Sequence, residues 1–254
     1  MKDFEKYAHS FQVFPRLGLE RITHLLACLG DPQKDCGRVL HIAGTNGKGS
    51  VAVALASVLT AAGFRVGLYT SPNLVRVNER VVLDGAPISD ADLSRLISEV
   101  EKAARETEAA LGEMPTPFEI WTATAFLYFC RQRCDYVVLE VGLGGAFDAT
   151  NVVGTCEMAL LAHIDLDHTA QLGSTVAAVA RAKCGIIKDG CRVFSVPQYP
   201  DAEAVIRETC REKRASLTFC HPPAPGRREG FFEVADMPLV GLCRLPFAGI
   251  HQLA

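Results

Sequence analysis

The chain has 254 residues, of which 49% are apolar and 22% charged, and its formal net charge at pH 7 is −3. A chain of this length and composition can bury a full core as one large domain or two small ones. The nearly balanced charge excludes a general electrostatic attraction to nucleic acid or to an anionic membrane, since either needs a concentrated basic surface.

The first segment, MKDFEKYAHSFQVF (1–14), is charged and has no long apolar core. No apolar stretch of the chain approaches the ~20 residues that are needed to cross a bilayer. We therefore expect no membrane segment and no targeting peptide, and a cytoplasmic protein.

Five short apolar runs then alternate with longer segments of helical periodicity. The predicted strands lie at 38–43, 65–70, 135–141, 157–164 and 192–196, and the predicted helices at 48–62, 89–110, 117–132, 174–187 and 201–214. Ser89 and Asp92 have the spacing of a helix N-cap, and Gly63 that of a C-terminal glycine. Continuous apolar strands between helices predict an α/β fold, a mostly parallel sheet with helices on both faces.

The pattern changes beyond about residue 221. HPPAPGRREG (221–230) is typical of a turn region, and FFEVADMPLVGLCRLPF (231–247) of short strands separated by prolines. We expect an irregular, strand-rich end to the chain.

The segment HIAGTNGKGS (41–50) joins the first predicted strand to the first predicted helix through three glycines and a lysine. This arrangement places backbone N–H groups and the positive end of the helix around one point, which suits a phosphate. Lys48 can add a point charge and Ser50 a hydrogen bond. The segment departs from G-x-x-x-x-G-K-[ST], because Ile42 replaces the first glycine and Gly49 separates lysine from serine. A tight turn without a ligand stays open as the alternative.

Two later strand ends carry candidate metal ligands. Glu140 ends the third predicted strand, at the start of EVGLGGAFDATN (140–151), and ligands of open α/β sheets bind beyond such ends. HIDLDHT (163–169) offers four more, namely His163, Asp165, Asp167 and His168. Carboxylates beside a phosphate favour magnesium, whereas zinc prefers several imidazoles. A lone acid at a strand end is also typical of a solvated residue or a cap.

Lys183 lies among small and branched apolar residues in VAAVARAKCGIIKDG (176–190). One interpretation is a side chain that extends along the surface with its ammonium group in water. The other is a buried amine, whose lowered pKa would allow chemical modification.

Ten cysteines are scattered without a C-x-x-C pair. Several stand in apolar runs, so we expect reduced and mostly buried thiols. A zinc site is the alternative, and only Cys130 and Cys134 approach the required spacing, without a second pair.

Six segments, in order, carry a resemblance to a known family. They are GTNGKGS (44–50), YTSPNLVRVNERV (69–81), TPFEIWTATAF (116–126), EVGLGGAFDATN (140–151), LDHTAQLGSTVAAVARAKCGIIKDG (166–190) and HQ (251–252). Together they resemble the dihydrofolate and folylpolyglutamate synthases of the Mur ligase superfamily. The resemblance runs from about residue 15 to the end. A ligase of the same superfamily with another substrate is the alternative, against which TPFE and DATN argue.

The resemblance implies that residues 1–254 are a Mur-ligase-type ATP-binding domain, with a phosphate-binding turn. It implies that ATP is bound by Thr45, Asn46, Gly47, Lys48, Gly49 and Ser50. It implies that two magnesium ions are held by Ser71, Glu140, His168 and Lys183, and that Lys183 is carbamylated. The implied catalytic residues are Lys48, His168 and Lys183. For the pteridine end of the substrate it implies Thr116, Pro117, Phe118, Glu119, Phe147, Asp148 and Ala149.

In this family, a carboxylate of dihydropteroate or of a folate attacks ATP to form an acyl phosphate, and L-glutamate then displaces phosphate to give an amide. The resemblance therefore implies an ATP-dependent ligase whose ligands are these small molecules. Two anions must meet, so the implied task of Lys48 and the magnesium ions is positioning and charge neutralisation.

Three departures qualify the resemblance. Ala146 stands where the family commonly has arginine, and Asn73 where it commonly has histidine. Family members also carry a C-terminal domain that helps to form the glutamate site, and we expect this chain, which stops at HQLA, to lack it. We expect an incomplete ligase site. The alternative is a catalytically silent nucleotide-binding module that pairs with another chain, and a second chain that supplies the missing domain is a candidate partner.

Overall fold

The computed structural model describes residues 18–221 and, after them, the backbone of three short strands at 227–229, 232–237 and 241–245. The helices of the described part are α1 (Glu20–Cys28), α2 (Lys48–Ala61), α3 (Asp90–Leu111), α4 (Pro117–Gln132), α5 (Thr169–Leu172), α6 (Val176–Cys184) and α7 (Pro200–Glu212). None of the helices described is long and apolar enough to cross a membrane.

Eight strands form one sheet. They are β1 (Arg38–Ala43), β2 (Val66–Tyr69), β3 (Val81–Leu83), β4 (Ala86–Pro87), β5 (Tyr136–Glu140), β6 (Met158–Leu161), β7 (Arg192–Ser195) and β8 (Ser216–Phe219), in the order β4-β3-β2-β5-β1-β6-β7-β8. The six strands from β2 to β8 in that order are parallel, and β3 and β4 pair antiparallel at one edge. Strands β9 (Arg227–Glu229), β10 (Phe232–Met237) and β11 (Gly241–Leu245) form a separate antiparallel sheet.

The sheet is covered on both faces, which confirms the predicted fold class. Val39 of β1 lies in the core cluster of α1, α3 and α4, which also buries Trp121 and Phe126. Its neighbours Leu40 and Ile42 belong to a second cluster with α2. Adjacent strand residues face opposite sides, so helices pack on both sides of β1.

The five predicted strands and five predicted helices are confirmed, with ends shifted by a few residues. Ser89 caps α3 as expected, because its Oγ accepts from the Asp92 N–H at 3.1 Å. Sequence reasoning missed α1, the edge strands β3, β4 and β8, and the single turn α5. The strand pieces expected at 231–247 correspond to β10 and β11, whereas β9 lies within 221–230, where the sequence predicted a turn region. The HQ motif at 251–252 lies outside the described residues.

The cysteines of the described residues are all free, and six of the nine are buried. This agrees with the expectation of reduced core thiols. Burial raises the pKa of the Cys36, Cys134, Cys156 and Cys184 thiols to about 12, so these thiols are unreactive at neutral pH.

The topology brings three strand ends together. Central strand β1 lies between β5 and β6, and Ile42 is paired with Glu140 while Ala43 is paired with Leu161. The chain runs from β1 through α2 to β2 on one side, and β6 lies on the other. The carboxyl end of β1 is therefore the switch point at which such sheets bind ligands.

Candidate functional site

The turn after β1 forms the N-terminus of α2. Gly47 is the N-cap residue, with φ 86°, a left-handed conformation that favours glycine, and no side chain caps the helix there. In the described part of the chain, no acceptor is hydrogen-bonded to the N–H groups of Lys48, Gly49 or Ser50. Three donors at the positive end of a 14-residue helix are thus available to an anion.

Thr45 holds this turn against the end of β6. Its N–H donates to the His163 carbonyl at 2.7 Å, and its hydroxyl donates to the Asp165 carbonyl at 2.9 Å. The Asp165 N–H in turn donates to the Thr45 Oγ1 at 3.0 Å. Thr45 therefore shapes the predicted phosphate turn, while the exposed Asn46 and the helix N-terminus face outward.

Two lysines converge on one carbonyl of the turn. Lys48 Nζ donates to Gly44 O at 3.0 Å and to Thr45 O at 3.1 Å, and Lys183 Nζ donates to the same Gly44 O at 2.8 Å. Lys183 is buried, with 3% of its surface exposed. Burial and, second, the charge of Lys48 lower the pKa of Lys183 to about 8. Of the two interpretations of Lys183, the structure therefore supports the buried amine.

Glu140 lies beside the same helix N-terminus. A methyl group built on Gly49 would lie 3.5 Å from its Oε1, and its Oε2 accepts from the Ser71 N–H at 3.0 Å. Burial raises the pKa of Glu140, and the Ser71 N–H and the Lys48 charge act in the opposite direction. The structure therefore brings together Lys48, Ser71 and Glu140 from three separate segments.

The four candidate ligands after β6 do not gather as their spacing suggests. No group of three or more His, Cys, Asp and Glu residues able to hold a metal exists among the residues described. The His163 ring contacts the Tyr199 ring, with centroids 5.5 Å apart. The backbone carbonyl of Asp165 accepts a hydrogen bond from the Thr45 hydroxyl of the turn. His168 has a left-handed backbone (φ 45°), and its half-exposed ring lies 3.6 Å from Asp167.

Residues 142–151 follow Glu140 at the end of β5 and are here called the acceptor loop, after the part of the substrate that the sequence resemblance implies for them. The buried Asp148 carboxylate accepts from Leu143 N–H at 2.8 Å, from Thr150 N–H at 3.0 Å and from Thr150 Oγ1 at 2.5 Å. Burial raises the pKa of Asp148 in spite of these bonds. Ala149 is also buried, whereas 59% of Phe147 is exposed. Among the loop residues implied for the substrate, Phe147 is the one with a large accessible side chain.

The segment TPFE begins α4 with a reciprocal cap. Glu119 N–H donates to Thr116 Oγ1 at 3.1 Å, Thr116 N–H donates to Glu119 Oε2 at 2.7 Å, and Pro117 occupies the first turn. The T-x-x-E spacing is the signature of this cap, which sequence reasoning missed. Arg21 also pairs with Glu119 at 3.2 Å.

Phe118 connects this cap to the acceptor loop. A methyl group built on Gly142 would lie only 2.5 Å from Phe118 Cζ, so the ring packs directly on the loop backbone. The loop is also attached to α6, because Ala146 N–H donates to Ala182 O at 2.9 Å and Asn151 Nδ2 donates to Gly185 O at 3.1 Å. The start of α4, the loop and the helix of Lys183 thus form one continuous contact.

The two departures from the family pattern have local roles. Asn73 Oδ1 accepts from Arg80 Nε at 2.8 Å, and the buried Arg80 guanidinium lies 5.3 Å from the Trp121 ring. Ala146 packs closely against Gly185, because a methyl group built on Gly185 would lie only 2.4 Å from the Ala146 Cα. Both residues are part of the packing around the site.

Sequence reasoning also missed His41 and Thr150. His41 Nε2 lies 2.8 Å from Thr150 Oγ1, and both residues are completely buried. The available signal was a histidine in the middle of an otherwise apolar predicted strand, where a polar ring needs a partner.

Comparisons with known proteins show the family to which the chain is similar. The model of the Mur ligase middle domain matches residues 42–192. Folylpolyglutamate synthase of Lacticaseibacillus casei is 44% identical over 202 residues, which are 79% of this chain and 47% of the relative. Dihydrofolate synthase/folylpolyglutamate synthase of Bacillus subtilis is 40% identical over 205 residues, 80% of this chain and 47% of the relative.

A solved FPGS–AMPPCP–folate complex has a TM-score of 0.89 and 36% identity, and the match covers 98% of this chain and 63% of the other. Folylpolyglutamate synthase of Mycobacterium tuberculosis, complexed with ADP and AMPPCP, has a TM-score of 0.85 and 33% identity over 92% of this chain and 56% of the other. The chain spans about half the length of the curated relatives it matches. The resemblance found in the sequence is confirmed.

Proposed function

The chain belongs to the Mur ligase family, and we propose that it is the ATP-binding part of an amide ligase of the folylpolyglutamate and dihydrofolate synthase type. A carboxylate oxygen of dihydropteroate or of a folate attacks the γ-phosphorus of ATP, ADP leaves, and an acyl phosphate forms. The amino nitrogen of L-glutamate then attacks the acyl carbon, and phosphate leaves as the amide forms.

The observation that carries the proposal is the free N-terminus of α2 beside Lys48. Unpaired N–H groups on Lys48, Gly49 and Ser50 match the outer phosphates of a nucleotide, and Gly47 lets the backbone approach closely. Lys48 already has its ammonium group at the turn, 3.0 Å from Gly44 O. The matched complexes with AMPPCP, an analogue of ATP, support the same ligand class.

Glu140 and Ser71 fit a magnesium ion at this turn. Glu140 Oε2 is held by the Ser71 N–H, and Oε1 faces the N-terminus of α2, so a carboxylate oxygen lies near the phosphate position and Ser71 lies beside it. An ion held there would neutralise charge on the outer phosphates. Burial raises the pKa of Glu140, and a bound cation would offset this effect because it stabilises the ionised carboxylate.

Lys183 is the candidate for carbamylation, with His168 beside a second ion. A pKa of about 8 leaves about a tenth of the amine neutral at pH 7, and only the neutral amine adds to CO2. The product is an anionic carbamate, and one proton is released. Intact mass measured in bicarbonate buffer tests this proposal, since a gain of one CO2 that disappears in Lys183→Met supports it and the same gain in both proteins contradicts it.

The acceptor end is assigned to the surface formed by α4 and the acceptor loop. Phe147 offers an exposed aromatic ring, and Phe118 packs beneath the loop at Gly142. An aromatic pteridine would gain apolar contact and stacking there. Thr116 and Glu119 support this surface through the cap and Asp148 supports it through the loop bonds, while Ala149 is buried.

Calorimetric titration with Mg-ATP tests the nucleotide site. We expect Lys48→Ala to weaken binding about 10- to 100-fold, the loss of a charge-assisted contact of roughly 1.5–3 kcal/mol. Lys34→Ala is the control, because Lys34 is exposed and pairs with Asp31. Equal affinities of Lys48→Ala and the native chain would remove the proposed phosphate contact.

Incubation with ATP, L-glutamate and dihydropteroate or folate, followed by mass spectrometry, tests the reaction and identifies the acceptor. The second candidate is a nucleotide-binding module without activity of its own, and Ala146, which stands where the family commonly has arginine, favours it. Such a module would bind Mg-ATP and form no amide unless another chain supplies the remaining part of the site.

A further inference from the structure

A buried chain of hydrogen bonds joins strand β1 to the acceptor loop. His41, in the middle of β1, contacts Thr150 Oγ1 through Nε2 at 2.8 Å, and Thr150 Oγ1 contacts Asp148 Oδ1 at 2.5 Å. None of these side chains is needed to explain the phosphate turn or the magnesium ligands. His41 and Thr150 have no exposed surface.

The hydrogen bonds between His41, Thr150 and Asp148 all run in one direction, from His41 towards Asp148. Asp148 accepts from two backbone N–H groups, Leu143 and Thr150, as an ionised carboxylate does, so the Thr150 hydroxyl donates to it. Thr150 Oγ1 must then accept from His41 Nε2–H. The ring is therefore the neutral Nε2–H tautomer, and His41 Nδ1 has no hydrogen-bond partner among the residues the structure describes.

Asp148 closes the acceptor loop on itself, because its carboxylate joins Leu143 at one end of the loop to Thr150 at the other. Phe147, adjacent to this residue, is 59% exposed. The orientation of Phe147 thus depends on where Asp148 is held. His41 is the fixed end of this series of hydrogen bonds, because β1 is paired with a strand on each side.

We propose that His41 is a positioning residue for the acceptor substrate: through Thr150 and Asp148 it fixes the loop conformation that presents Phe147. This inference rests on the proposed function, which assigns the loop to the pteridine end of dihydropteroate or folate. The phosphate turn is held independently, by Thr45 on His163 and Asp165. His41 therefore affects the acceptor and leaves the nucleotide contacts in place.

The test compares His41→Leu with His41→Gln in the full chain. Leucine keeps the apolar volume and removes the donor, while glutamine carries an N–H at similar reach. We expect His41→Leu to weaken folate or dihydropteroate binding about tenfold, the effect of an unpaired buried hydroxyl. Mg-ATP affinity should stay within about twofold, and His41→Gln should restore acceptor affinity to within about threefold of the native value.

Hydrogen exchange of peptides that cover 142–151 gives a second readout. Exchange in His41→Leu should rise about threefold or more, with His41→Gln close to the native chain. If the native chain binds neither acceptor, the proposed acceptor class fails, and exchange alone decides the inference. Should His41→Leu fail to fold, Thr150→Val against Thr150→Ser makes the same comparison one bond further along.

Three results would overturn the inference. One is unchanged acceptor affinity and exchange in His41→Leu. Another is equal loss of Mg-ATP and acceptor affinity, which would indicate general damage to the sheet. The third is failure of both His41→Gln and Thr150→Ser to restore the loop, which would show that the hydrogen-bond chain is not what holds it.

Discussion

Replacing His41 by glutamine should remove part of the acid sensitivity of the fold. Burial, and second the nearby charge of Lys188, lowers the pKa of His41 from 6.5 to about 3. Between these two values, the unfolded chain binds a proton that the folded chain does not. The free energy of unfolding therefore rises with pH across this window and falls as the pH is lowered through 6.5.

The size of the effect follows from the two pKa values. For a histidine with an unfolded pKa of 6.5 and a folded value near 3, lowering the pH from 7.5 to 5 removes about 2 kcal/mol of stability. The figure hardly depends on the folded value while that value stays below about 4, because the unfolded state then sets the proton uptake. Asp148 and Glu140, whose raised pKa values act in the opposite direction, are present in both proteins and cancel in the comparison.

Urea unfolding of the native chain and His41→Gln at pH 7.5, 6 and 5 measures this difference. We expect the native chain to lose about 2 kcal/mol more than the variant over that range, with similar m-values. Parallel losses in the two proteins would contradict a neutral, buried His41.

Two further predictions concern elements beside the site. Thr116→Ala removes the cap of α4 and should lower the free energy of unfolding by about 1 kcal/mol, whereas Thr116→Ser should keep most of it, as chemical denaturation can measure. Gly67→Ala would place a methyl group 2.5 Å from the Phe129 ring and should destabilise by about 1–3 kcal/mol, while Gly63→Ala has open space around it and carries only the backbone strain of a positive φ.

The parts of the fold that the sequence predicted are those with strong local signals. Strands β1, β5 and β6 are mostly apolar, and the residues of β1 and β5 are nearly all buried on both faces of the sheet, which favours such runs. Strand β4 has two exposed residues and β8 alternates half-buried with exposed ones, so neither resembles a buried strand. Helix α1 has no side-chain cap and nine residues, and its stability comes from burial of Ile22, Leu25 and Leu26 against other elements.

The candidate site divides in the same way. Gly47, Lys48 and Glu140 could be predicted, because a strand end and a helix start place them at one edge of a parallel sheet. The role of Asp148 could not, since whether a loop carboxylate faces a ligand or its own backbone depends on tertiary packing. The same is true of Lys183, whose two sequence interpretations differ only in whether β1 and its turn cover the ammonium group.

The two halves of the site therefore respond differently to substitution. The phosphate turn presents backbone N–H groups and one lysine, so changes of exposed side chains such as Asn46 leave its donors in place. The acceptor loop takes its shape from a buried chain of side chains, in which each member satisfies the next. Loss of one member leaves a buried polar group unpaired, which costs about 1–3 kcal/mol. Variation in acceptor preference is thus expected to arise from buried positions such as His41 and Thr150 as well as from residues that touch the substrate.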